Sequence, residues 1–291
     1  MKIAYLILAH NTPGQLQRLI SALQSKDATF YIHIDKKSNE SFKISQNNNI
    51  YIIKKRIPVF WGGYSQVQAS LALLQEAKKN GEYDYYILLS GSSYPVKSVQ
   101  YIKNLLNTYN GYQFIDLYPM PLFDKTFDRV EYAFFEGHQN RLINYFLMKT
   151  NYLIRKLNIK RSFPNEYKNM KLYGGGQWWV LTNSCTEYIL KYIVENKAFL
   201  NFYKYSFCPD EMFFQTIIGN SPFAGKVMNG VMHTDWSGDL KPAIINESHL
   251  DLLKNEYISV PFGDNKRFLL FARKFNDESE KIIKKIDTLR T

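Results

Sequence analysis

The first 95 residues alternate between short apolar runs and segments whose apolar side chains recur at helical spacing. Strands are predicted over residues 3–9, 30–35, 50–53 and 85–89, and helices over residues 13–23 and 65–79. Thr12 is a good N-cap for the first helix, and Pro13 is a good first helical residue. This order of elements builds a mostly parallel sheet with helices on its faces. We therefore predict an α/β fold with a Rossmann-like, mostly parallel sheet flanked by helices.

Polar residues follow three of the predicted strands, at His10-Asn11, at Asp35 and at residues 90–93. In open α/β sheets, ligands bind outside the carboxyl ends of the strands. Hydroxyl, amide, imidazole and carboxylate groups at these ends suit a nucleotide. No linker or internal repeat divides the 291 residues, so we predict one domain, with a nucleotide-binding half at 1–120 and an acceptor-binding, catalytic half at 121–291.

The chain is basic, because 37 Lys and Arg residues outnumber 26 Asp and Glu residues and give a formal net charge of +11. Such a balance indicates nucleic acid, anionic lipid or a phosphorylated substrate as partner, unless the charge serves only solubility. Nucleic acid is disfavoured because the positive charge is dispersed and no recognition motif is present. The 22 Tyr and 20 Phe residues fit either an aromatic core or a groove that stacks on rings.

Two cysteines, Cys185 and Cys208, form no metal-binding or disulfide pattern and favour a reducing compartment. The apolar run before His10 lacks the basic start, length and cleavage site of a signal peptide. No stretch approaches the roughly 18 apolar residues of a membrane span. We expect a cytoplasmic protein.

Residues 140–171 contain eight Lys or Arg residues and a single acid, Glu166. Within them, residues 140–161 mix apolar and basic side chains as a basic amphipathic helix does, which suits an anionic membrane surface at the inner face. The alternative is a helix packed on the domain with a solvated basic face.

The familiar phosphate-binding and hydrolase motifs are absent, and so is the Asp-x-Asp pair that many sugar-nucleotide enzymes use to hold a metal. Asp35 is followed by Lys36 and Lys37, which would repel a cation. We predict no metal and no cofactor. Basic side chains would then neutralise a phosphate-bearing ligand, with three candidates near the C-terminus unless they are merely solvated. These candidates are Arg267, Arg273 and Lys274.

Two glycine-containing clusters lie next to tryptophans. Residues 61–65 (Trp-Gly-Gly-Tyr-Ser) precede a predicted helix, where backbone can approach a ligand, unless Ser65 or its neighbour is a plain N-cap. Residues 174–179 (Gly-Gly-Gly-Gln-Trp-Trp) lead into an apolar strand, so we expect one tryptophan in the core and the other available to stack on a sugar.

Adjacent carboxylates, Asp210 and Glu211, follow Pro209 and precede an apolar helical run. They fit the first turn of a helix beginning at Pro209, where the helix dipole favours negative charge. Alternatively, one of them faces a cleft as a general base that removes a proton from a hydroxyl. Residues 233–238 form a polar loop with one tryptophan, Trp236.

Five stretches occur together in an order that resembles the core-2/I-branching β-1,6-N-acetylglucosaminyltransferase family, which includes the peptide O-xylosyltransferases. The stretches are residues 4–11 with 31–35, residues 61–65, residues 88–91 with 94–95, residues 175–179 with 209–211, and residues 271–275. The resemblance implies a GT-A-like fold, an inverting mechanism and no metal requirement. It also implies Glu211 as catalytic base and Lys274 as contact to the donor diphosphate, with Arg273 or Lys241 beside it.

The resemblance further distributes the remaining site residues between donor and acceptor. Donor binding is assigned to His10, Asn11, Asp35, Trp61, Gly62, Ser90, Gly91, Arg273 and Lys274. Acceptor binding is assigned to Gln177, Trp178, Asp210 and Trp236. The implied reaction moves GlcNAc from UDP-GlcNAc to a hydroxyl of a glycan or a lipid-linked glycan. UDP-xylose, UDP-glucose and UDP-galactose stay open as donors.

Two departures from the family pattern affect this assignment. Ser93 stands where the family usually has an aspartate, which changes the preferred sugar or lowers activity, and keeps a catalytically impaired sugar-binding protein as an alternative. A second phosphate-binding arginine has no clear counterpart, and Lys241 is its candidate substitute.

Overall fold

The computed structural model describes residues 1–44, 48–122, 125–238, 241–261 and 265–290. Its strands are β1 (Ile3–Ala9), β2 (Ala28–Ile34), β3 (Ile50–Ile52), β4 (Tyr85–Ser90), β5 (Ser93–Pro95), β6 (Gln113–Phe114), β7 (Tyr118–Pro119), β8 (Tyr173–Gly174), β9 (Val180–Thr182), β10 (Val227–Met228), β11 (Met232–Thr234), β12 (Tyr257–Ser259), β13 (Lys266–Phe268) and β14 (Phe271–Arg273). Its helices are α1 (Pro13–Leu23), α2 (Ser65–Asn80), α3 (Val99–Thr108), α4 (Asp128–Glu131), α5 (Arg141–Lys156), α6 (Asn183–Glu195), α7 (Lys197–Lys204), α8 (Phe213–Gly219), α9 (Leu250–Lys254) and α10 (Glu280–Leu289).

The central sheet has seven strands in the order β10-β6-β9-β4-β1-β2-β3. Strand β1 runs parallel to β2 and β4, β2 to β3, and β10 to β6. Strand β9 is antiparallel to both of its neighbours, β4 and β6. The predicted α/β fold with a mostly parallel sheet is thus confirmed, and it is consistent with a GT-A-like arrangement. Strands from both halves of the chain build this one sheet.

Helices cover both faces of the sheet, which explains why β1 and β4 are buried along almost their whole length and are apolar up to Ser90 of β4. Alternate residues of β1 point to opposite sides. Ala4 and Leu6 join a cluster with residues of α2, α6, α7 and α8, whereas Tyr5 and Ile7 pack with residues of α1 and α3.

The predicted elements of the first 95 residues are present, but the start of α1 differs in detail. Thr12 is the N-cap residue with a left-handed backbone (φ 57°), and its hydroxyl donates to the Asn11 carbonyl instead of capping the helix. The cap comes from Asp277, whose Oδ1 accepts from the Gln15 N–H at 2.6 Å. A residue from the far end of the chain therefore replaces the expected local cap.

A three-stranded sheet in the order β11-β14-β5 brings the C-terminal segment to the carboxyl ends of the central strands. Strand β5 follows β4 after a short turn and pairs antiparallel with β14, with Ser93 opposite Arg273. On its other side β14 runs parallel to β11, with Thr234 opposite Arg273. This small sheet places the basic end of β14 beside the carboxyl end of β4.

Two expectations for the second half change. The acidic pair lies in a 3-10 helix, Pro209–Glu211, and α8 begins only at Phe213, so the carboxylates do not occupy the first turn of an α-helix. The predicted helix of residues 140–161 is α5, and none of its residues is buried, so it does not pack its apolar face on the domain. Within the described ranges, no helix combines the length and apolarity that crossing a bilayer requires.

Candidate active site

The carboxyl ends of β1 and β2 place His10 and Asp35 side by side. The two strands pair in register up to Ala9 and Ile34, and the Asp35 N–H donates to the Ala9 carbonyl at 2.8 Å. Asp35 is buried, and its Oδ1 accepts from the backbone N–H groups of Lys37 and Val59. These bonds fix the carboxylate at the strand end where the sequence predicts nucleotide binding.

Ser90 and Gly91 shape the end of the neighbouring strand β4. Ser90 is buried, and its hydroxyl lies 2.8 Å from that of Ser92. A Cβ at Gly91 would lie 3.1 Å from the Cβ of Ala9, so glycine permits close approach of the two strand ends. Asn11 is half-buried next to them.

Arg273 and Lys274 lie near His10, and Lys241 lies near Lys274. We call Arg273, Lys274 and Lys241 the phosphate-side cluster. Burial, and then the charges of Arg273 and Lys241, lower the pKa of Lys274. Desolvation and then Lys274 lower the pKa of His10, while Asp35 opposes this shift. Because Arg273 pairs with Ser93, three residues beyond the end of β4, the Arg273 end of the cluster lies at the strand ends.

Over the ranges that the structure describes, no carboxylate forms an ion pair with any member of the phosphate-side cluster. Burial lowers the pKa of Arg273 to about 10, its guanidinium lies 5.0 Å from the centre of the Trp178 ring, and its buried Nε has no hydrogen-bond partner. Arg273 and Lys274 are half-buried, whereas Lys241 is exposed. Partly buried cations without a partner are unfavourable, so Arg273 and Lys274 are suited to an anionic ligand.

Glu211, by contrast, is held by two cations. Its Oε2 lies 2.6 Å from Nη1 of Arg129 and 3.0 Å from Nζ of Lys125. Arg129 lies in α4, and its carbonyl accepts from the Phe207 N–H, which ties α4 to the segment before Pro209. Among the described residues, Oε1 of Glu211 has no hydrogen-bond partner and is the oxygen left to accept a proton.

Residues 175–178 connect Glu211 to the phosphate-side cluster. The Gly175 N–H donates to the Glu211 carbonyl at 2.9 Å, and at the other end Trp178 lies under Arg273. Three residues span at most about 11 Å. A Cβ at Gly175 would lie 2.0 Å from the Asp116 carbonyl oxygen, so only glycine fits there. The segment therefore limits how far the backbone of Glu211 can lie from the ring that Arg273 covers.

A buried amide network lines this connection. Gln66 Nε2 donates to Gln177 Oε1 at 3.2 Å and to Asp210 Oδ2 at 3.1 Å. Burial, followed by the charge of Glu211, raises the pKa of Asp210. Gln177 Nε2 is buried without a partner, so this donor is available to a ligand hydroxyl. Gln177 and Asp210 therefore meet in one place, as their common assignment to the acceptor requires.

The loop at residues 61–62 contacts the segment that precedes the acidic pair. The Gly62 carbonyl accepts from the Cys208 N–H at 2.8 Å, and Gly62 has a positive φ of 73° that suits glycine. Trp61 is 80% exposed and packs edge-on against Phe207. The N-cap of α2 is Tyr64, the neighbour of Ser65, although no side chain caps the helix. Ser65 is the first helical residue, and its hydroxyl accepts from the Phe60 N–H at 2.8 Å.

The remaining aromatic candidates separate clearly. Trp179 is fully buried against Phe214, as expected for one of the two tryptophans. Trp236 is 65% exposed in the loop after β11, close to the residue that pairs with Arg273. This loop therefore starts beside the phosphate-side cluster, and the acceptor role of Trp236 stays a prediction.

Comparison with known proteins gives a match to the description Core-2/I-Branching enzyme over residues 3–255. The chain belongs to this family. It is 26% identical to xylosyltransferase 1 of Rattus norvegicus and of Homo sapiens, and 28% identical to xylosyltransferase 2 of Mus musculus. Each match covers 82% of this chain but only 24–28% of the relative, so the chain spans about a quarter of the length of these proteins.

Family membership confirms the resemblance and leaves individual residue roles to geometry. Arg267, one of the three basic candidates, is paired with both oxygens of Asp116 at 2.8 and 2.9 Å. Burial lowers its pKa, but Asp116 and Tyr118 more than offset this effect. Asp116 therefore supplies the counter-ion of Arg267, so this candidate, unlike Arg273 and Lys274, is already paired within the protein.

Sequence reasoning missed Arg129, Lys125 and Gln66. They lie in segments with no motif, and only the path of the chain brings them to Glu211 and Asp210. In the part of the chain that the structure describes, no group of three or more His, Cys, Asp or Glu side chains is arranged to hold a metal ion. A cleft of about 480 Å³ between α1 and α10 contains none of the site residues.

Proposed function

We propose that this chain is an inverting glycosyltransferase that moves a sugar from a UDP donor to a hydroxyl of a glycan without a metal ion. The observation that supports this most directly is the combination of two features at opposite ends of residues 175–178: a cation cluster that no carboxylate of the described ranges neutralises, and a carboxylate held by two cations. The cation cluster would neutralise a diphosphate, and the carboxylate would accept the proton of an acceptor hydroxyl.

In the proposed reaction, Oε1 of Glu211 takes the proton of the acceptor hydroxyl while the hydroxyl oxygen attacks the anomeric carbon. The bond from that carbon to the diphosphate oxygen breaks on the opposite face, and UDP leaves with the bonding electron pair. The anomeric configuration is inverted in this single displacement. Arg129 and Lys125 hold Oε2 and so keep Oε1 directed at the acceptor.

Lys274, Arg273 and Lys241 would stabilise the negative charge that develops on the departing diphosphate. Fixed cations in a partly desolvated site perform this task without reorganisation at the moment of reaction. Trp178 supports the guanidinium of Arg273 through a cation–π contact. In this proposal His10 and Asp35 contact the uridine and ribose.

UDP-GlcNAc is the proposed donor, and a lipid-linked glycan is the proposed acceptor. The relatives named xylosyltransferases bring in UDP-xylose as a further donor to test. Ser93, with a buried hydroxyl that lacks a partner, lies at the donor end and keeps the impaired sugar-binding protein as an outcome of the test. The expected cytoplasmic location stays a prediction.

The decisive experiment measures UDP release from a panel of UDP-sugars with a mixed glycan acceptor pool, in EDTA and separately in Mn²⁺. We expect turnover with one donor in EDTA. Activity only in Mn²⁺ would contradict the metal-free proposal. Donor binding by calorimetry without turnover on any acceptor would favour the impaired sugar-binding protein.

A further inference from the structure

Helix α5 exposes most of its large apolar side chains to solvent, whereas a helix that packs on a core buries them. The side chains turned toward the domain are half-buried and half of them are amides, namely Asn144, Leu147, Asn151 and Ile154. Asn151 bonds both the N–H and the carbonyl of Phe135 at 2.8 Å. Asn144 Oδ1 accepts from the His138 N–H at 3.1 Å. The domain therefore holds α5 largely through hydrogen bonds.

The apolar side chains of α5 face solvent. Leu142, Phe146, Leu153 and Leu157 are 68%, 61%, 49% and 64% exposed. At about 100° per residue, these four lie within an arc of about 60° and form a continuous stripe. Large exposed apolar patches of this kind mark surfaces that bind a partner or a membrane. We call this stripe the outer face of α5.

Two lysines of α5 flank the outer face, because at about 100° per residue Lys149 and Lys156 lie within about 70° of its centre. Arg141 and Arg155 are also exposed but lie toward the other side of the helix, and the helix contains no Asp or Glu. Arg155 alone approaches an acid, Asp128 of α4, at 4.0 Å. Lys149 and Lys156 lie over the rings of Tyr145 and Tyr152. Aromatic rings with apolar bodies and polar tips suit the headgroup region of a bilayer.

The apolar stripe and the lysines beside it favour one kind of partner for the outer face. Two copies of α5 packed through their outer faces would bring four lysines together, which disfavours a homodimer through this face. A polyanion would satisfy the lysines but would leave the leucine and phenylalanine stripe in water. An anionic lipid surface satisfies both, because the apolar stripe enters the acyl boundary while the basic side chains contact the headgroups.

We infer that α5 is an interfacial anchor that docks this protein on an anionic bilayer. The anchor is joined to the candidate active site. Glu136 follows Phe135, the residue that bonds Asn151, and its carboxylate accepts from the Ser65 N–H at 3.0 Å. The next residue, Gly137, packs on Phe60. The exposed Trp61 lies in the same loop. Docking would bring the loop that contains Trp61, which contacts the segment before Glu211, toward the membrane and so supply an acceptor carried on a lipid, a consequence that rests on the proposed function.

The test is co-sedimentation of the full chain with vesicles of phosphatidylcholine alone or with about one third phosphatidylglycerol, at two salt concentrations. We expect binding only to the anionic vesicles, weakening as salt rises. The double variant Phe146→Ser/Leu153→Ser should bind at least tenfold more weakly. Lys149→Gln/Lys156→Gln should lose roughly tenfold or more, since each lysine near the surface contributes about 1 kcal/mol.

Val194→Ser is the matched control, because Val194 is 64% exposed on α6 at a distance in sequence from the anchor. It should bind like the parent protein, and all variants should share its melting temperature. Equal binding to neutral and anionic vesicles, or none to either, would overturn the anchor. So would a concentration-dependent dimer that the Phe146→Ser/Leu153→Ser variant abolishes, because the occupant would then be a second copy.

UDP release with a water-soluble acceptor separates this inference from the proposed function. The anchor variants should leave that activity unchanged. If the parent protein binds anionic vesicles but releases no UDP from any donor, the proposed function fails and the anchor stands. If it turns over a soluble acceptor but ignores vesicles, the anchor fails alone.

Discussion

Two groups of cations flank residues 175–178, and they differ in whether the protein supplies their counter-ion. Arg129 and Lys125 converge on Oε2 of Glu211, whereas Arg273 and Lys274 face no carboxylate in the described ranges. A cation paired within the protein positions its partner. A partly buried cation left unpaired is costly unless a ligand completes it. Pairing within the protein therefore distinguishes cations expected to position a side chain from cations expected to bind a ligand, and no motif is needed to tell them apart.

Glu211→Gln gives the largest expected effect, because it removes the proton acceptor while keeping the shape of the side chain. We expect kcat to fall by about 10²–10⁴. UDP binding by calorimetry should stay unchanged, since the proposed diphosphate site lies at the other end of residues 175–178. Glu187→Gln, at an exposed carboxylate of α6 that pairs with Lys78, is the control for loss of a carboxylate. A Glu211→Gln enzyme that keeps most of its activity would remove Glu211 as the base.

Lys274→Ala should come next, with a loss of roughly 10²–10³ in kcat, as for removal of one preorganised group that stabilises the leaving charge. Unlike Glu211→Gln, it should also weaken UDP binding. Lys266→Ala serves as the matched control, because Lys266 is exposed on β13 and lies over the Tyr257 ring. Unchanged UDP affinity in Lys274→Ala would mean that the unpaired cluster does not bind the diphosphate.

The two clusters also differ in how far they could be predicted. Lys274, Asp35 and Glu211 lie at strand ends or in short motifs, so local sequence indicated them. Arg129 reaches Glu211 only because its carbonyl is bonded by Phe207 and Arg161 binds the carbonyl of the adjacent Val130. Such contacts join residues far apart in sequence, and no local pattern encodes them.

The same limit applies to the fold. Hydrophobic periodicity was sufficient for β1, α1, β2 and α2, because their burial is set by sheet and helix repeats. The cap of α1 was missed because Asp277 lies 262 residues from Gln15. The solvent-facing stripe of α5 was visible as an amphipathic pattern. The pattern alone could not tell which face meets the domain, since that depends on the amides of Asn144 and Asn151.

Arg129→Ala should have a smaller effect that tests positioning directly. We expect kcat to fall by roughly 10 to 10², because a misdirected carboxylate still exists but is less well aligned. KM for the donor and UDP affinity should not change. Arg129→Lys, which keeps the charge, should recover part of kcat. Weaker UDP binding in Arg129→Ala would show that both cation groups act on the diphosphate. Arg129 would then not be a positioning residue only.

Ser93→Asp should have the smallest effect, and it would turn the unpaired cluster into a paired one. Ser93 is buried directly opposite Arg273 in the β5–β14 pair, and opposed residues share a face of a sheet. An aspartate there, as the family usually has, would give Arg273 a carboxylate partner and reduce its attraction for diphosphate. We expect UDP affinity to fall about tenfold, or about 1.4 kcal/mol.

Ser93→Asn is the control, because it adds nearly the same volume without the charge. If both variants bind UDP equally weakly, volume rather than charge is responsible. If Ser93→Asp binds UDP as the parent does while the preferred sugar changes, then the residue at position 93 reads the sugar instead. Arg273 would then contact the diphosphate whichever residue stands opposite it. The absence of a carboxylate partner for Arg273 would no longer identify the donor end of the site.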